Sequence, residues 1–183
     1  QEFENLKASI AGRPVWAAVS THDGEEDIAG DVHNLVESRH AGLLTIIVPR
    51  HPDRAPAIVS LLKAKGLNVA RRSAGEAITD ETQVYLGDTI GEMGLYLRLT
   101  EIAFVGRSLT STGGQNPLEP AALETAVLAG PNVQNFRDSY KKLWWIHGEP
   151  RKDLRPALVA LPRYIVTPVT PKHRVFSYLE QSI

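Results

Sequence analysis

Short apolar runs alternate with helical patterns from Val15 to about Leu143. Val15 to Val19 (VWAAV), Leu43 to Val48 (LLTIIV), Val84 to Leu86 and Ile102 to Val105 (IAFV) are nearly continuous apolar stretches, the signature of strands buried on both faces of a parallel sheet. Ala126 to Ala129 (AVLA) reads the same way. Between the runs, Ile28, Val32, Leu35 and Val36 recur at i, i+4, i+7 and i+8, and Ile58, Leu61 and Leu62 follow Pro56, which is the spacing of amphipathic helices. The alternation predicts βαβ units and an α/β domain over residues 1–143, built on a doubly wound parallel sheet. The charged patch at Arg71-Arg72 reads as a solvated turn. Residues 144–183 differ: Pro150, Pro156, Pro162, Pro168 and Pro171 fall there with only short apolar runs such as Tyr164-Ile165-Val166. Prolines at that spacing exclude long helices, so this segment is expected to be an atypical proline-rich tail with one short strand.

Composition narrows the class. A chain of 183 residues buries roughly 70% of its unfolded surface and needs neither disulfide nor metal to hold a core. Twenty basic against twenty-one acidic residues leave a net charge of -1, which argues against a nucleic-acid partner. The absence of cysteine removes disulfide scaffolds, thiol nucleophiles and zinc-thiolate sites together. No run approaches the roughly 20 apolar residues of a membrane span, and Gln1-Glu2-Phe3-Glu4-Asn5 is no signal peptide. A soluble domain is expected, and the missing initiator Met suggests a piece of something longer.

In an open parallel sheet, ligands bind beyond the carboxyl ends of the strands, so the strand-end turns carry the chemistry. The first contains Ser20-Thr21-His22-Asp23-Gly24-Glu25-Glu26, with Asp23 and Glu26 spaced as a capping box. The second, Pro49-Arg50-His51-Pro52-Asp53-Arg54, concentrates cations. Gly87-Asp88-Thr89-Ile90-Gly91-Glu92 repeats the Thr-x-x-Glu spacing. Gly106-Arg107-Ser108 leads through Gly113-Gly114 to Gln115, then Asn116, Pro117, Leu118 and Glu119, where Asn116 suits a helix N-cap, Pro117 the first helical position and Glu119 the third.

Helix N-termini, free backbone N–H groups and two or three guanidinium groups around one crevice favour an anion. Gly113-Gly114 would let backbone approach a phosphate, and Glu119 or Glu92 would accept hydrogen bonds from ribose hydroxyls. Capping alone also accounts for Glu26, Glu92 and Glu119, and Arg50 and Arg107 can equally be solvated. His22 and His51 read as exposed or hydrogen-bonded side chains rather than metal ligands. His33 and His40 receive no role. There is no Walker phosphate loop, dinucleotide fingerprint, zinc-protease motif, Asp-x-Asp pair or nucleophile elbow. A nucleotide site with one phosphate, without metal or cofactor, fits best.

Several of these stretches occur in one order: Ser20-Thr21-His22 with Gly24-Glu25-Glu26, Val48-Pro49-Arg50-His51-Pro52, Gly87 to Met93, Phe104-Val105-Gly106-Arg107-Ser108-Leu109, Gly113 to Ala121, and Gly130-Pro131 with Asn135-Phe136-Arg137-Asp138. Over residues 12–143 the chain closely resembles the C-terminal half of 3-deoxy-D-manno-octulosonic acid (Kdo) transferases of lipopolysaccharide assembly. The resemblance implies a Rossmann-like domain, the C-terminal half of a GT-B glycosyltransferase, that holds the donor CMP-Kdo. It implies contacts to CMP from Pro49, Arg50, Ile90, Gly91, Glu92, Asn116, Pro117, Leu118 and Glu119. Arg50 would balance phosphate charge and Glu119 would meet the ribose. Ser20, Thr21, His51, Arg107, Gly113, Gly114 and Gln115 would be additional donor contacts; many relatives carry His where Gln115 stands.

The family's reaction is an inverting transfer to a sugar hydroxyl of a lipid A precursor, at the cytoplasmic face of the bacterial inner membrane. Its general base is a glutamate of the N-terminal domain, which also faces the acceptor and carries the membrane anchor. The resemblance therefore names no catalytic residue in this chain and implies that these residues alone are inactive. The tail beyond Leu143 departs from the family. Two other readings stay open: a non-catalytic nucleotide-binding or interaction domain, and half of a GT-B enzyme using a UDP-sugar.

Overall fold

The computed structural model describes residues 1–147 together with 165 and 166. The remainder of the expected tail, 144–183, lies outside the described residues. Among the described residues, seven strands form one sheet: β1 (Val15–Thr21), β2 (Leu44–Pro49), β3 (Val69–Arg71), β4 (Val84–Leu86), β5 (Ile102–Val105), β6 (Ala126–Ala129) and β7 (Ile165–Val166). They lie in the order β3-β4-β2-β1-β5-β6-β7. The first six are parallel, and β7 pairs antiparallel with β6 at the edge. The helices are α1 (Glu2–Ser9), α2 (Glu25–Glu37), α3 (Ala55–Ala64), α4 (Met93–Leu97), α5 (Leu118–Ala122) and α6 (Arg137–His147). Helix α6 thus runs past residue 143.

Side chains alternating along each strand feed two cores, one on each face. Ala17 and Val19, Leu44, Ile46 and Val48, and Tyr85 join Tyr96 and Leu97 of α4, Tyr140 and Leu143 of α6, and Phe3 and Leu6 of α1. On the other face Ala18, Ile47, Val84 and Leu86 meet Ala29 of α2 and Ile58 and Leu62 of α3. The expected doubly wound sheet is therefore present, with apolar runs buried on both sides. At roughly 1.5–3 kcal/mol per fully buried Leu or Ile, these contacts make the central strands a rigid support for the turns at their carboxyl ends.

Two expectations near the edge are corrected. Val69–Arg71 is a strand, too short and too polar at Arg71 to stand out in the sequence. Arg71 and Arg72 are not solvated: each guanidinium is paired with a carboxylate at the end of β4 or the start of α4. His33, buried between α2 and β2, lies 2.8 Å from Thr45 Oγ1 through Nδ1 and 3.4 Å from Glu37 Oε2 through Nε2.

Burial lowers the His33 pKa below the ordinary imidazole value, against the opposing pull of Glu37. The unfolded chain therefore binds the proton more readily than the folded one. Stability present above about pH 6.5 is lost as pH falls below it. Urea midpoints should drop between neutral pH and pH 5 more steeply for the wild type than for His33→Gln; parallel profiles would contradict this assignment.

Candidate functional site

The chain runs from β1 to β2 on one side and later returns to β5 on the other, so the strand order reverses between β1 and β5. Such a reversal opens a crevice at the carboxyl edge. One side chain holds its two walls together. Glu25, the first residue of α2 and only 1% exposed, accepts four backbone hydrogen bonds. Oε2 takes the N–H groups of His22 at 2.9 Å and Arg107 at 2.8 Å, and Oε1 those of Ser108 at 2.9 Å and Leu109 at 3.0 Å. Nothing in the sequence separates Glu25 from Glu26. Only the fold shows that Glu25 braces the two turns while Glu26 meets Arg54.

The expected capping box at α2 does not form. Its N-cap is Gly24 at φ 84°, without a side-chain cap. Glu26, 2% exposed, instead receives Thr21 Oγ1 at 2.8 Å and the Arg54 guanidinium at 2.8 and 3.1 Å. Asp23 takes the same guanidinium at 2.9 Å. A buried carboxylate needs a cation more than a helix end needs a cap. The Arg50 N–H, in turn, donates to Thr21 O at 3.0 Å, joining the turns after β1 and β2.

The turn after β5 is built by close approach. A Cβ on Gly106 would lie 2.4 Å from Ser20 O and 2.7 Å from Glu25 Oε2, so no other residue fits. Ser20 and Arg107, on either side of the crevice, both adopt left-handed conformations, with φ 53° and 55°. The loop that follows is tied back by Gly114 N–H to Arg107 O at 2.9 Å and Arg107 Nε to Thr112 O at 3.1 Å. Gly113 and Gly114 are buried, and a Cβ on either would collide with Asn135 or Val133. Close packing against that segment accounts for the diglycine without a phosphate. The loop ends at α5, which begins one residue later than expected; Asn116 Oδ1 still accepts the Leu118 N–H at 3.1 Å.

At the end of β4, Glu92 is fully engaged. Arg72 donates to both of its oxygens, at 3.0 and 2.7 Å, Thr89 Oγ1 bonds to Oε2, and Tyr96 OH lies 3.3 Å from it. The hydrogen bonds from Arg72, then those from Thr89 and Tyr96, hold the Glu92 carboxyl down at about 2 against burial. Arg72 also bonds Glu2 of α1, and the pairing with Glu92 and then Glu2 raises its own pKa. Beside it, burial tends to raise the Asp88 pKa, but hydrogen bonds from Ser73 and Arg71 outweigh it and hold the group below its ordinary value. The Glu92 side chain is thus occupied within the protein.

Adjacent pairing of β4, β2, β1 and β5 therefore sets the expected residues side by side along one edge. Exposed there are Arg50, His51, Gly91, Asn116, Glu119, Ile90 (89%) and Leu118 (46%), whereas Pro49 and Pro117 are buried. Among the described residues, no hydrogen bond or ion pair engages the side chain of Arg50 or of Glu119. Gln115, Ser20 and Arg107 are partly exposed, and Thr21 is buried. Arg54, Arg71 and Arg72, the cations that organise the edge, were not singled out in the sequence as ligand-bearing, and spacing carries no signal for their partners.

Fold and strand order together define an α/β domain of the Rossmann-like class, with its switch point between β1 and β5. No family model matches the chain. The 3-deoxy-D-manno-octulosonic acid transferase of Haemophilus influenzae is 41% identical over 136 residues, which is 74% of this chain and 32% of the relative. The enzyme of the same name from Bordetella pertussis is 39% identical over 136 residues, 72% of this chain and 32% of the relative. A probable mitochondrial counterpart from Arabidopsis thaliana is 36% identical over 145 residues, 78% and 32%. The chain spans about a third of the length of these relatives. The crystal structure of the C-terminal CMP-Kdo binding domain of WaaA from Acinetobacter baumannii superposes with a TM-score of 0.72 at 28% identity, covering 99% of this chain and 94% of that one. The chain is a homologue of the Kdo transferases and has the fold of their C-terminal domain.

Glu25→Gln keeps the shape but turns an NH2 group toward backbone donors. With unsatisfied buried donors at about 1–3 kcal/mol each, the variant should lose roughly 2–5 kcal/mol in urea unfolding and exchange the amide protons of Arg107, Ser108 and Leu109 much faster. Unchanged exchange at those three amides would refute the bracing role.

Proposed function

We propose that the chain is the donor domain of a Kdo transferase and binds CMP-Kdo across the carboxyl ends of β4, β2 and β1. The observation that carries this reading is the separation of the edge into paired and unpaired charges. Arg54, Arg71 and Arg72 are neutralised by Asp23 and Glu26, by Asp88, and by Glu92 with Glu2. Arg50 is left for the phosphate and Glu119 for the ribose hydroxyls. The cytosine and sugar rest near Ile90, Gly91 and the Asn116–Glu119 segment, and a single phosphate is balanced by Arg50 rather than by a metal. Exposed Ile90 and Leu118 supply apolar contact that solvent alone does not favour.

In this reading the whole enzyme transfers Kdo to a lipid A precursor during lipopolysaccharide biosynthesis at the cytoplasmic face of the inner membrane. No helix among the described residues is long and apolar enough to cross a membrane. Acceptor, membrane contact and general base belong to the family's N-terminal domain. Glu25, Glu26 and Glu92 of this chain are already engaged in hydrogen bonds and ion pairs.

Titration calorimetry should give tighter binding for CMP than for UMP or AMP. Arg50→Ala and Glu119→Ala should each weaken CMP roughly tenfold to a hundredfold, the range of one charge-assisted bond, with circular dichroism unchanged. Equal affinity for the three nucleotides would favour the UDP-sugar or general nucleotide-binding alternatives, and unaltered binding in both variants would remove the site.

A further inference from the structure

Two imidazoles meet at this edge. His22, at the end of β1, and His51, at the end of β2, meet edge to face, with ring centroids 5.7 Å apart and planes at 76°. The Arg50 N–H to Thr21 O bond fixes the two turns on which they stand. His22 Nδ1 lies 3.1 Å from Ser20 O. A carbonyl only accepts, so this nitrogen carries the hydrogen, and Nε2 is left for a ligand. The acids of the first turn are occupied: Asp23 and Glu26 by Arg54, and Glu25 by four backbone N–H groups. Asp53 is the exposed acid of the second turn. His22 and His51 thus stand together on the two turns that the Arg50 N–H joins.

An ulosonic acid carries its carboxylate on the anomeric carbon, directly beside the phosphate linkage. A donor of that kind presents two anions a few bonds apart, which matches an imidazole pair standing on the same turn as Arg50 and the one beside it. We infer that His22 and His51 form a carboxylate subsite that selects an acidic sugar, next to Arg50 on the phosphate. His51 offers a ring N–H to the carboxylate, and the edge-to-face contact with His22 orients that ring. The inference rests on the donor-domain reading and adds to it the group that tells an acidic sugar from a neutral one.

The shared chemistry, an oxyanion, has two sources in the donor, so the test separates them. Affinities of the wild type, His51→Gln and the His22→Gln/His51→Gln pair are measured for CMP, which has phosphate only, and for CMP-Kdo, which has both anions. The expected result is roughly a tenfold loss for CMP-Kdo in the double variant, the size of one charge-assisted bond, with CMP affinity unchanged. Exposed His51→Gln should show the same selectivity at smaller amplitude and guards against a folding defect at position 22. An equal loss for CMP would assign the imidazoles to the phosphate and overturn the subsite, as would no loss for either ligand. A wild type that binds neither compound would instead remove the donor-domain reading itself.

Discussion

The carboxylate of Glu25 is the constraint on which the ligand edge depends. It gathers four N–H groups from the turns after β1 and β5, the two strands between which the sheet order reverses. For those donors to converge, both strands must bend at their ends. Ser20 and Arg107 take left-handed conformations, which cost on the order of 1–3 kcal/mol each, and residue 106 can only be glycine. The four hydrogen bonds offset that strain. A crevice that would otherwise splay as the strands diverge is fixed at one width, and the loop carrying Asn116 and Glu119 is hung from Arg107.

Charge sorting follows from this frame. The chain is nearly neutral, with a net charge of -1, yet its charges are not scattered. Lys65 pairs with Asp27 and Asp31, and Arg13 donates to the carbonyls of Gly42, Leu43, Thr79 and Thr82 at the opposite edge. At the ligand edge, Arg54, Arg71 and Arg72 are each clamped to carboxylates. Pairs of this kind keep a polar rim rigid while contributing little net charge. What distinguishes Arg50, His22, His51 and Glu119 is that, among the described residues, they stand outside these pairs.

The sheet was legible because buried parallel strands leave continuous apolar runs, and Leu43 to Val48 or Ile102 to Val105 have no other reading. Strand β3 was not, since three residues ending in arginine carry no period. The positions of Arg50 and Asn116 to Glu119 followed from the rule that chemistry sits after strands, sharpened by a family resemblance. Capping boxes misled at Asp23 and Glu26, because local spacing cannot register an arginine 28 residues away that wins the carboxylate. For the same reason local spacing carries no sign of Arg72 on Glu92, 20 residues away. Long-range ion pairing, rather than local propensity, is what the sequence withheld.

The claim that matters most is that one edge, and only that edge, receives the nucleotide. Titrating the isotopically labelled chain with CMP and following backbone amide resonances tests it directly. Saturable shifts should map to Arg50, Ile90, Gly91, Glu92, Asn116, Leu118 and Glu119, with none at Thr79 to Thr82 on the opposite edge. Shifts centred away from the carboxyl ends of β2 and β4, or no saturable shift, would contradict the account.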